Sequence, residues 1–207
     1  LGVRMKNSKI FKKIKLAQEV YDKNFLNREF LYIYEDKNEI KKFLITFKKQ
    51  NFLHLTGVKY GSEDNMNPLN FYRAVKENRL SLSEKNINDF TYIKLKVFPK
   101  LTNLLQESSV FYKFSPEKGN ANWLYIDSFI TENQRKKESV ILGITEKGGN
   151  TNNYAPSSIL RAIPDERGNY IGNVLIIACR DCNLKKEKYK AIYRVTDVSK
   201  IPDELKK

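Results

Sequence analysis

The chain has 207 residues, 41% hydrophobic and 12% aromatic, with 38 Lys+Arg against 24 Asp+Glu and a net charge of +14. That apolar content excludes a disordered chain, which combines high charge with few apolar residues, and the length suits one domain, or one domain with an appendage. The charge calls for a polyanionic partner, nucleic acid first, then an anionic membrane surface or an acidic protein.

In chain order, residues 8–25 read as an amphipathic helix. Ile10, Phe11, Ile14, Ala17, Tyr21 and Phe25 recur at helical spacing, Ser8 can cap the start, and Lys9, Lys12, Lys13 and Lys15 occupy the other faces as phosphate contacts or as a solvated surface. Residues 29–35 and 40–48, joined by Asp36-Lys37-Asn38-Glu39, read as a β-hairpin. The run Phe52 to Val58 reads as a third strand, whose period of two puts Phe52, His54, Thr56 and Val58 on one face and Leu53 and Leu55 on the other. Residues 61–67 are loop, and Pro68 opens a helix to about Asn78. Residues 91–107 read as a helix that Pro99 kinks or starts. Later strands are expected at Val110–Phe114, Leu124–Ile130, Ser139–Thr145, Tyr170–Cys179 and Tyr189–Val195, with a polar loop at Lys147–Asn153. Helices early and strands grouped later predict an α+β fold, N-terminal helices packed on an antiparallel sheet. Residues 1–27 form the N-terminal helix and 28–207 one compact unit.

No segment approaches the roughly 18 apolar residues of a membrane span. The start, Leu1-Gly2-Val3-Arg4-Met5, lacks an apolar signal core, and Met5 is a candidate initiator; the expectation is a cytoplasmic protein without a membrane partner. Cys179 and Cys182 have the spacing of half a zinc site, but there is no second pair and the one histidine is distant. Reduced thiols, a disulfide and an intermolecular metal site all fit.

The single histidine, His54, carries the sharpest chemical signal. Imidazole titrates near neutrality and can take or give a proton there. In a chain of charge +14 it suggests proton transfer on RNA, against the plainer reading of a packing residue.

Five blocks carry a resemblance: Phe52-Leu53-His54-Leu55-Thr56-Gly57-Val58, Phe71-Tyr72, Arg79-Leu80-Ser81, Leu142-Gly143-Ile144 and Pro156-Ser157-Ser158-Ile159-Leu160. In this order they resemble a phage-associated nuclease family grouped with barnase, EndoU, colicin-type tRNases and RelE toxins. The resemblance implies the helix-plus-antiparallel-sheet fold of that group, a metal-independent ribonuclease without cofactor, and phage or mobile-element origin. It carries over His54, Thr56, Gly57, Pro156, Ser158 and Leu160.

Metal-free RNA cleavage needs a base for the 2′-hydroxyl, an acid for the leaving 5′-oxygen, and cations for the charged phosphorane. His54, Thr56 and Ser158 are the catalytic candidates: His54 for a proton, Thr56 to orient it or bind phosphate, Ser158 to bind a non-bridging oxygen. Lys59 and Arg161, chosen by proximity and charge, join Gly57 as substrate-binding candidates. Each also has a structural alternative: a strand residue, a solvated lysine, a turn cap, or an ion pair of Arg161 with Asp165 or Glu166. With one histidine, a Lys, Tyr or Glu must supply the second proton function. The expected partner is RNA, as tRNA or mRNA, with an acidic antitoxin or immunity protein as a further candidate. The competing hypothesis is a non-catalytic basic module that binds RNA, DNA or protein, with aromatic side chains stacking on unpaired bases.

Overall fold

The computed structural model describes residues 2–60, 67–105, 108–118, 126–184 and 188–195. Helix α1 spans Gly2–Asn24. Ile10, Ile14, Ala17 and Tyr21 form its buried stripe, and Ser8, expected at the cap, lies inside the helix. Lys15 does not face a phosphate site: its ammonium donates to the carbonyls of Val75 and Lys76, at 3.2 and 2.9 Å. It thereby closes the C-terminus of α3 (Pro68–Lys76), where a helix leaves carbonyls without partners.

The hairpin forms as expected, from β1 (Arg28–Asp36) and β2 (Glu39–Thr46). Its turn residues Lys37 and Asn38 have φ of 48° and 71°, the pair of positive values that a tight hairpin turn needs. The remaining strands are β3 (Ser109–Phe114), β4 (Ser128–Glu132), β5 (Ser139–Lys147), β6 (Asn150–Ala162), β7 (Gly168–Asp181) and β8 (Lys190–Arg194). The expected strand over Leu124–Ile130 is thus β4, displaced toward the C-terminus; Leu124 and Tyr125 lie outside the described residues.

The fold is α+β, but the sheet is not open. Strands β1-β2-β6-β5-β4-β3-β7 hydrogen-bond in that order, and β7 pairs back onto β1, closing a seven-stranded barrel with β8 paired to β7 outside the ring. All pairings are antiparallel except β2–β6. Register shifts at Ile33/Tyr34, Phe111/Tyr112 and Gly143/Ile144 mark bulges, which bend strands and raise their twist. At Gly172 a Cβ would collide with the backbone carbonyl of Glu35, so glycine permits the close approach of β7 to the end of β1. Closure is a long-range property of register, which a strand-by-strand reading does not contain.

The loop expected at Lys147–Asn153 is also corrected. Only Gly148 and Gly149, with φ of 59° and 71°, make the turn, and Lys147 pairs directly with Asn150 to begin β6. The polar asparagines lie on a strand because the hairpin register sets them there.

One main cluster joins the barrel to the helices. Phe30, Tyr32 and Tyr34 of β1 and Phe43 and Ile45 of β2 pack with Ile14, Tyr21, Phe52, Phe71 and Phe98. The alternate β1 residue Ile33 joins Leu175 and Ile176 in a separate small cluster.

Candidate active site

The motif around His54 is a helix, not a strand. α2 spans Asn51–Thr56. Its start is fixed by the Asn51 side chain, which accepts a hydrogen bond from the Lys48 N–H at 2.8 Å. Phe52, Leu55 and Thr56, spaced i, i+3 and i+4, turn inward and are fully buried. Phe52 lies against Tyr21, Phe71, Tyr72 and Phe98, with ring centroids 5.4 to 5.9 Å apart. Gly57 ends the helix in the left-handed conformation, φ 71°, where an L side chain costs roughly 1–2 kcal/mol.

This geometry separates the two polar residues of the motif. His54 faces outward and is exposed. Thr56 is buried; its hydroxyl donates to the Leu53 carbonyl at 2.8 Å and accepts from the Val58 N–H at 3.3 Å. The shared face expected from strand periodicity does not exist, and Thr56 holds the helix end.

His54, Gly57, Lys59 and Ser158 line one cleft of about 290 Å³. Arg161 does not. Lying one residue beyond Leu160 in β6, it projects to the other side of the strand, where its guanidinium pairs with Glu138 at 3.2 Å and lines a second groove. Asp165, one expected partner of Arg161, instead receives hydrogen bonds from Tyr112 and Arg135, at 2.7 and 3.4 Å.

Two elements complete the cleft. One is β6: Gly143 pairs with Ser158 and Ile144 with Pro156, so Ser157 is the extra bulge residue. The bulge sits where Pro156 has no N–H to give the ladder, and it aims Ser158 at the cleft. The other is α4 (Asp89–Val97), capped by Asn88, whose side chain accepts from the Thr91 N–H at 3.0 Å. The expected helix over 91–107 is therefore split: α4 ends at Val97, and Phe98–Leu105 continues as a 3₁₀ helix from the turn containing Pro99.

α4 contributes Phe90 and Lys94. Lys94 is the functional candidate that the sequence reading missed. Its stem crosses Gly57, where a Cβ would lie 2.8 Å from the lysine Cδ, and its ammonium donates to the His54 carbonyl at 2.9 Å. Thr91 donates to the Gly57 carbonyl at 2.8 Å. The carbonyls of Leu53, His54 and Gly57 are thus each satisfied, two of them from α4. The segment after the cleft is clamped as well: Lys59 N–H donates to the Asn86 carbonyl and the Asn86 side chain donates to the Lys59 carbonyl, both at 2.9 Å.

The electrostatics follow from this arrangement. His54 remains solvent-accessible, but the protein atoms around its ring partly desolvate it and lower its pKa from the ordinary value, and the Lys94 charge lowers it further. Burial pushes the Lys94 ammonium down to about 8. None of the described residues lining the cleft is acidic, so neither cation has a carboxylate there to offset its desolvation. Among the described residues no group of three or more His, Cys, Asp or Glu could hold a metal ion. Cys179 is half-buried and Cys182 exposed, and no disulfide joins them.

Residues 13–206 match the family described as phage-Barnase-EndoU-ColicinE5/D-RelE like nuclease4, and the chain belongs to that family. No curated protein and no solved structure matches it. Among the described residues no helix is long and apolar enough to cross a membrane.

Proposed function

We propose that the protein is a metal-independent endoribonuclease of phage or mobile-element type, with His54 as the proton carrier that starts the reaction. The observation that carries this reading is a single imidazole, biased toward its neutral form, in a cleft whose charged lining is cationic. A neutral imidazole is a general base at pH 7, and cations with no carboxylate among the described lining residues favour a phosphodiester. The family assignment supports nuclease chemistry, and the net charge of +14 supports a polyanionic substrate.

In this reaction His54 takes the proton of the ribose 2′-hydroxyl as its oxygen attacks phosphorus. The P–O5′ bond then breaks, leaving a 2′,3′-cyclic phosphate and a 5′-hydroxyl. Lys59 and the Ser158 hydroxyl bind the non-bridging oxygens, while Gly57 and Thr56 shape the turn that presents the imidazole. Phe90, 43% exposed at the cleft edge, offers a face to an unpaired base.

The deciding experiment is cleavage of a mixed RNA pool containing tRNA and mRNA, in EDTA, by the wild type and by His54→Ala. EDTA-resistant cleavage with a cyclic-phosphate end, lost in the variant, is the expected outcome. Tight RNA binding without cleavage by either protein replaces the proposal with a basic binding module.

A further inference from the structure

Metal-free cleavage with one histidine leaves the leaving group without an acid. We infer that Lys94 is the second catalytic residue, the acid that protonates the departing 5′-oxygen opposite His54; this rests on the ribonuclease reading above. The geometry carries it. Lys94 lines the same cleft as His54 and Ser158, and its ammonium is held 2.9 Å from the His54 backbone carbonyl. Its path crosses Gly57, the one residue of the motif without a side chain to block it. Turn and lysine are therefore one device: a left-handed glycine ends α2, and the missing Cβ admits an ammonium from α4.

The step balances. His54, neutral, gains the 2′-hydroxyl proton as the O2′–P bond forms. Lys94, as ammonium, gives a proton to O5′ as the P–O5′ bond breaks. Imidazolium and amine then exchange with water to restore both groups. Among the described residues the titratable groups facing Lys94 are His54 on α2 and Lys59 on the segment after it; β6 presents the neutral Ser158 and Leu160. A lysine near 8 and a histidine below its ordinary value are both in their working forms at neutral pH.

The test compares RNA with uridine 3′-(4-nitrophenyl phosphate), whose leaving group needs no proton, using wild type, His54→Ala, Lys94→Arg and Lys94→Met. Lys94→Arg keeps a cationic donor for the His54 carbonyl but cannot give up its proton at working pH. It is expected to lose roughly 10²-fold or more on RNA while staying within about threefold of wild type on the nitrophenyl ester. The wild-type fall in rate above pH 8 should appear with RNA and not with the ester. Lys94→Met should raise the His54 pKa, read from the one imidazole signal in the NMR spectrum, with circular dichroism checking the fold. Equal losses on both substrates, or a wild-type RNA rate in Lys94→Arg, overturn the role of Lys94 while His54-dependent cleavage keeps the ribonuclease reading. A wild type that cleaves neither substrate overturns both.

Discussion

Two grooves flank α4, and they handle charge in opposite ways. On one side His54, Lys59 and Lys94 line a cleft with no acidic residue among its described lining. On the other side, Lys96, Lys100 and Arg161 share a larger groove of about 590 Å³ with Glu132 and Glu138. There Arg161 meets Glu138, and Glu132 accepts from the Asn103 amide at 3.1 Å. The larger groove sets two carboxylates against its three cations, whereas the smaller one has none among its described lining residues. In the proposed reaction, a phosphodiester entering the small cleft meets cations that no anion among the described lining residues offsets, and burial there lowers the pKa of both His54 and Lys94. For the proposed site, uncompensated charge is therefore a better guide than size.

The largest expected effect that sharpens this contrast is on the imidazole. His54→Ala should reduce RNA cleavage by roughly 10²–10⁴-fold, while its exposed position holds the stability change to about 0.5 kcal/mol; cleavage assays beside urea unfolding read both. Full cleavage by a folded variant would move the reactive site elsewhere.

Next is pH. A lowered His54 pKa leaves the base neutral at pH values where an ordinary histidine is protonated. The rate should therefore rise with pH, up to tenfold per unit, only below the usual histidine value near 6.5, and then level off. The acid limb of the kcat/KM profile measures this. A midpoint above the ordinary value would contradict the cationic cleft.

Gly57→Ala tests whether the turn and Lys94 are coupled. The backbone strain costs roughly 1–2 kcal/mol, and the new Cβ meets the Lys94 stem. Stability by urea unfolding should fall by about that amount, and cleavage should fall further than the unfolded fraction explains.

Thr56→Val keeps the buried shape but strips the hydroxyl from the Leu53 carbonyl and the Val58 N–H. Unfolding should show a loss of about 1–3 kcal/mol, with cleavage by the folded fraction largely retained. Arg161→Ala, in the compensated groove, should change cleavage by less than about threefold, since its exposed ion pair with Glu138 contributes roughly 0–1 kcal/mol. A loss comparable to that of His54→Ala would erase the distinction between the grooves.

Much of the fold could be read along the chain because it rests on local physics. The Phe25-to-Ile10 stripe spells a helix, the Lys37-Asn38 turn spells a hairpin, and Pro68 marks the start of α3. The run 52–58 reads as a strand in sequence because seven residues of mixed apolar and polar type fit either period. The signals that favour a helix are Asn51 before it, Gly57 after it, and the 52, 55, 56 spacing. The asparagine-rich start of β6 was hidden by its polarity, since the register with β5 overrides propensity there.

By itself the sequence determined the basic character of the chain, its α+β class, its single imidazole, and the membership of His54, Gly57, Lys59 and Ser158 in a candidate site. Closure of the barrel, the inward turn of Thr56, the departure of Arg161 to the far groove and the arrival of Lys94 beside His54 were decided only in three dimensions. The physical reason is distance along the chain. His54 and Lys94 are separated by 40 residues, and nothing in either local stretch states that a missing Cβ at Gly57 lets one reach the other.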